Sequence, residues 1–140
     1  MAEGVEEVEV EELRPEPEAL NVAQRYEDLG VWRKSHEWVL AVYRKTRSFP
    51  RDEDFGLTSQ LRRSAGSVPM NIVEGFSRRG VTDKLRFYNI AEASLNEAHY
   101  QLRLAHDLSY ANTLDLRSDV GDISRMLIAY TRSIRANSDL

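Results

Sequence analysis

The side chains best equipped to do chemistry in this 140-residue chain are its arginines. Arg62 stands beside Arg63, Arg78 beside Arg79, and Lys84 two places before Arg86, with further groups at Arg33 and Lys34 and at Arg44, Lys45, Arg47 and Arg51. A guanidinium pairs with phosphate through parallel N–H donors and is weakly hydrated, which suits both anion recognition and buried ion pairs. From residue 25 to residue 86 there are 13 basic and 8 acidic side chains, a net of +5. Each phosphate contact made by such a surface adds salt-dependent affinity. The candidate nucleic-acid-binding set is Arg62, Arg63, Arg78, Arg79, Lys84 and Arg86, together with Arg44, Lys45 and Arg47. The competing reading pairs these bases with Glu37, Glu74 or Asp83 in structural ion pairs, leaving a protein-interaction scaffold that binds no nucleic acid.

Other chemistries are poorly supplied. With no cysteine there is no disulfide, thiolate metal site or cysteine nucleophile. Di-iron helical bundles use Glu-x-x-His, whereas His36, His99 and His106 follow Arg33, Asn96 and Arg103 at that spacing. His99 and His106, seven apart, suit a structural or surface role better than a metal. Nucleophile-elbow, P-loop and dinucleotide motifs are missing too, so neither an enzyme nor a cofactor is expected. Asp52, Glu53 and Asp54 read as charge at a helix N-terminus rather than as an acid–base pair.

Positioning these side chains falls to helices. Apolar periodicity predicts helix 1 over about 28–48, helix 2 over about 54–78, helix 3 over about 82–109 and helix 4 over about 114–136, with no competing strand pattern. Their core lines are Trp32, His36, Val39 and Tyr43; Leu57, Leu61, Ala65, Val68, Ile72 and Phe76; Tyr88, Ala91, Leu95, Ala98, Leu102 and Ala105; and Leu116, Val120, Ile123, Leu127, Tyr130 and Ile134. Thr82 and either Asn112 or Thr113 are the expected N-caps. Short loops imply an all-α, antiparallel up-down four-helix bundle. Pro69 lies inside helix 2 between Gly66 and Gly75, so that helix is expected to be one kinked rod held by packing on several sides. The alternative breaks it at Gly66 into a helix-turn-helix of a DNA-binding regulator, although Arg62 is bulky where such helices cross.

Two further lines bear on assembly. Val31, Trp38 and Val42 in helix 1, and Phe87, Ile90 and Leu104 in helix 3, lie off the core lines, and surplus apolar surface implies contact with copies of the same chain. In helix 2, Gln60, Ser64, Ser67, Asn71, Glu74 and Arg78 form a continuous polar line. Short hydroxyls and amides allow a second helix to approach, so Asn71 and Glu74 join the expected oligomer interface with Val31, Trp38, Val42, Phe87 and Ile90, Glu74 being paired to Arg78 or to an arginine of another helix.

The charge is unevenly spread. Residues 1–18 hold eight glutamates against Arg14, a net of −7, while the remaining chain carries +3, within an overall −4. Residues 1–25 are therefore expected to be a flexible acidic tail, able to compete with nucleic acid, ahead of a bundle over 26–140. The acidic N-terminus and the lack of a long apolar run point to a soluble, cytoplasmic protein outside the membrane.

Tyr26-Glu27-Asp28-Leu29-Gly30-Val31-Trp32-Arg33-Lys34, the Thr46 to Pro50 stop, Leu57 to Arg63, Ser67 to Phe76, Arg86 to Ala91 and Ser94 to Glu97 closely resemble the four-helix-bundle proteins encoded by intervening sequences of bacterial large-subunit ribosomal RNA genes. The resemblance spans about residues 26–135. That family is similar to the accessory variability proteins of diversity-generating retroelements, which form ring-like homopentamers, bind nucleic acid and dock a reverse transcriptase. What the resemblance implies is a non-catalytic, pentameric RNA- or DNA-binding accessory protein with a reverse transcriptase as partner.

Overall fold

A computed structural model describes residues 23–138. The acidic run before them lies outside the described residues. The described residues form four helices, α1 (Gly30–Thr46), α2 (Leu57–Ser77), α3 (Val81–Asp107) and α4 (Leu114–Ser138), with short 3₁₀ turns at Tyr26–Asp28 before α1 and Arg51–Glu53 before α2. No strand occurs among the described residues.

All four helices share one apolar core. The lines expected on α2, α3 and α4 are buried through Leu61, Ala65, Val68 and Ile72, through Leu95, Ala98 and Leu102, and through Ile123 and Leu127. Helix α1 is different, because it buries Val31, Ser35, Trp38, Val42 and Thr46. Its expected core line of Trp32, His36, Val39 and Tyr43 lies at the edge of the core instead, with Trp32 and Val39 half-buried against it and Tyr43 44% exposed. The two lines lie one residue apart along the helix, about 100° of rotation, so periodicity alone does not say which faces inward. Trp38 decides it by donating its indole Nε1–H to the Leu116 carbonyl at 3.1 Å, which ties α1 to the first turn of α4.

Helix α2 is buried on more than one side. It runs unbroken from Leu57 to Ser77 through Pro69, and Gly66, where a helix-turn-helix would turn, is helical and buried. Its polar line meets α3, with Ser64 Oγ donating to Gln101 Oε1 at 2.5 Å and Ser94 Oγ to Ser67 Oγ at 2.9 Å. Gly75 closes the same contact. A Cβ there would stand 2.8 Å from Tyr88 Cζ, so this glycine is required by the ring packed on it.

Caps and connections hold the helix ends. Glu53 accepts the Leu57 N–H at 2.9 Å on Oε1 and the Tyr110 hydroxyl at 2.8 Å on Oε2, joining the start of α2 to the α3–α4 connection. These two hydrogen bonds favour the carboxylate and hold the Glu53 pKa below its ordinary value. Thr82 lies within α3 rather than at its cap, which is Gly80, and Thr113 turns inward to donate to the Leu102 carbonyl at 2.7 Å. Thr113 still holds the N-cap position of α4, its carbonyl accepting the Arg117 N–H at 2.9 Å, while the side-chain bond there comes from Asn112, whose Oδ1 accepts the Leu114 N–H at 3.0 Å. Helix α3 ends with Ser109 N bonded to His106 O and Tyr110 N to Ala105 O, and this places Ser109 at φ 65°. That is the left-handed closing turn that glycine usually occupies.

Candidate nucleic-acid interface

The basic side chains divide into two groups. Arg62 and Arg78 are sixteen residues apart on one helix, about 24 Å along its axis, and the other bases collect around each.

At the α2–α3 turn most of the positive charge is already engaged. Arg78 pairs with Glu74 at 2.9 Å and lies 3.9 Å from Asp83, which also holds Arg86 at 2.9 Å. The Arg78 and Arg86 guanidinium carbons also stand 4.7 and 4.5 Å from the centroid of the Phe87 ring. Lys84 donates its ammonium to the carbonyls of Gly75 at 3.2 Å and Phe76 at 2.9 Å, satisfying the end of α2. Burial pushes its pKa down. Arg79 is exposed and has no ion-pair partner among the described residues.

The other group lies where α1 ends against α2. Arg62 donates Nε–H to Thr46 Oγ1 at 2.8 Å, reaches the Tyr43 carbonyl at 3.4 Å and stacks 4.7 Å from the Tyr43 ring centroid. It is a clamp between the helices. Around it Arg44, Arg47, Arg51 and Arg63 are exposed and Lys45 is half-buried, and none has a carboxylate partner among the described residues. Three carboxylates follow in Asp52, Glu53 and Asp54, against six bases. The carbonyl end of α1 favours the bases of its own last turn. Such a surface offers several cations to a row of phosphates, with Tyr43 as a ring beside them.

The expected interface residues fare unequally. Val31, Trp38 and Val42 are 4%, 2% and 0% exposed, packed in the chain's own core, so the expectation that they face another copy does not hold. Asn71 donates to Ser67 within α2, and Glu74 holds Arg78. Phe87 is half-buried under its two arginines, and Ile90, 40% exposed, lines an open groove of about 590 Å³ with Leu85, Asn89 and Arg135. Among the histidines, His106 Nδ1 accepts the Thr113 N–H at 3.3 Å and His36 stacks on Trp32. No cluster of metal-ligating side chains occurs among the described residues.

Sequence reasoning passed over one feature, an apolar groove of about 300 Å³ between α1 and α2 lined by Trp32, Val39, Tyr43, Pro69, Met70 and Val73. Met70, 66% exposed on α2, lines it beside Pro69 and Val73.

Comparison with known proteins follows the same outline. A family model described as 23S rRNA-intervening sequence protein matches residues 27–129. A crystal structure of a protein with unknown function from the S23 ribosomal protein family of Bacteroides thetaiotaomicron is similar in fold, with a TM-score of 0.67 and 24% identity over 73% of this chain and 95% of that one. No curated protein matches the chain. Neither description names a reaction, and no helix among the described residues is long and apolar enough to cross a membrane.

Proposed function

The chain belongs to the 23S rRNA-intervening sequence protein family, and from that premise we propose that it is a non-catalytic, nucleic-acid-binding accessory protein that grips the phosphate backbone of RNA with the α1–α2 end of its bundle. One observation carries this reading: Arg44, Lys45, Arg47, Arg51 and Arg63 crowd one end of the molecule without carboxylate partners among the described residues. Bases engaged at the opposite end of α2 serve the fold. The contact is with backbone phosphate, so affinity depends steeply on salt and weakly on sequence.

In this reading the helices alternate up and down, supported by the pairings Ser64–Gln101, Ser67–Ser94 and Gly75–Tyr88, which run in opposite order along α2 and α3. Helix α2 bends at Pro69, which has no N–H to give the Ala65 carbonyl. Copies join through the outer face of α3 around Phe87 and Ile90, with Asn71 and Glu74 at the edge, into a ring-like pentamer that multiplies the basic field. In the same reading its enzyme partner is a reverse transcriptase of a diversity-generating retroelement.

The test is a salt titration of binding to single-stranded RNA. The triple variant Arg44→Ala, Arg47→Ala, Arg63→Ala should flatten the slope of log affinity against log salt by about 2, at roughly 0.7 per lost phosphate contact. Arg78→Ala should leave that slope unchanged. Equal losses in both variants would overturn the confinement of binding to the α1–α2 end, and no binding at low salt would return the arginines to a purely structural role.

A further inference from the structure

The apolar groove between α1 and α2 joins two things that complement one another. One end is closed by Tyr26, whose ring stands edge-on to Trp32 at 4.9 Å, and Tyr26 lies three residues after Ala23, the first described residue. At the other end is Tyr43, which carries Arg62 on its ring and adjoins the bases of the proposed interface. Met70 between them is 66% exposed and Tyr43 44%, an apolar strip of a kind that marks an interaction site.

We propose that residues 1–22 of the same chain occupy this groove and lay their glutamates on Arg44, Lys45, Arg47 and Arg63, so that the chain's own N-terminus competes with nucleic acid for its basic end. The proposal rests on the nucleic-acid-binding reading for its regulatory meaning, but not for the docking itself.

Length permits it. From Trp32 to Tyr43 is about 16 Å along α1, and the 22 residues before Ala23 reach about 33 Å as a helix or about 70 Å extended. Charge favours it, since those residues carry −7 and arrive beside bases that lack carboxylate partners among the described residues. Composition fits as well, with Leu13, Leu20 and Val22 available for the groove and Glu3, Glu6, Glu7, Glu9, Glu11 and Glu12 further out for the arginines. Tethering decides between this segment and a separate partner, because a short linker holds its own segment at millimolar effective concentration.

The chain has no cysteine, so Gly4→Cys in the full-length protein accepts a single nitroxide label. Proximity should broaden the resonances of the Met70 methyl and the Trp32 indole at low salt. Added single-stranded RNA, or Gln at the six glutamates from Glu3 to Glu12, should restore them. Those six substitutions should also tighten RNA binding about tenfold at low salt. Unbroadened Met70 and Trp32 signals would overturn the docking, as would broadening seen only when labelled and isotope-enriched copies are mixed. Unchanged RNA affinity in the six-Gln protein would overturn the competition. If no RNA binds at all, the proposed function fails while the broadening still decides the docking.

Discussion

Gly75, Ser109 and Glu53 each hold the fold by a mechanism that one substitution can test. Gly75→Ala forces a methyl into the Tyr88 ring, and overpacking of this kind costs about 1–3 kcal/mol, measurable by urea unfolding. Ser109→Gly should act the other way and stabilise by about 0.5–1 kcal/mol, because it relieves a left-handed residue at the end of α3. Glu53 sets a pH dependence. Its folded-state pKa is depressed, first by the Leu57 N–H and then by Tyr110, so the stability it contributes is present above the unfolded carboxylate pKa and is lost as pH falls through the lowered one. Asp28, held by the Arg25 and Gln24 N–H groups, acts in the same direction. Melting followed from pH 7 down to pH 3 should fall less steeply in Glu53→Gln than in the parent. At this scale much was legible beforehand: Asp52, Glu53 and Asp54 announce a helix start, and the pairing of Glu74 with Arg78 follows from their spacing. The Tyr88 contact that demands Gly75 was not, because it joins residues of two helices.

Between elements, the α2–α3 seam shows what short polar side chains do on a helix that is buried on several sides. Ser64 and Gln101 satisfy each other where both are buried. Ser64→Ala should cost about 1–3 kcal/mol by leaving the buried Gln101 Oε1 without its donor. Adding Gln101→Leu should recover part of that loss, and a double-mutant cycle reads the coupling directly. The four helices and most of their core lines follow from periodicity. The inward face of α1 does not, since Val31–Trp38–Val42 and Trp32–Val39–Tyr43 are equally good apolar lines on adjacent faces. Only the Trp38 indole reaching Leu116, a contact 78 residues distant in sequence, chooses between them. With Val31, Trp38 and Val42 in the core, the other line is left beside α2, where Trp32, Val39 and Tyr43 line the apolar groove.

At the scale of the whole molecule, the arginines form two populations. Sequence shows where they cluster, but ion pairing is decided by which carboxylates the fold brings near: Asp83 and Glu74 engage Arg78 and Arg86, while no carboxylate among the described residues pairs with Arg44, Arg47 or Arg63. Nucleic-acid binding, if carried by the second population, is confined to the α1–α2 end. The most direct measurement is the affinity of the full chain for single-stranded RNA across a salt series, taken alongside the Arg44→Ala, Arg47→Ala, Arg63→Ala triple variant and Arg78→Ala. Steep salt dependence that is flattened in the triple variant alone is the expected result. Identical slopes in all three proteins would contradict it.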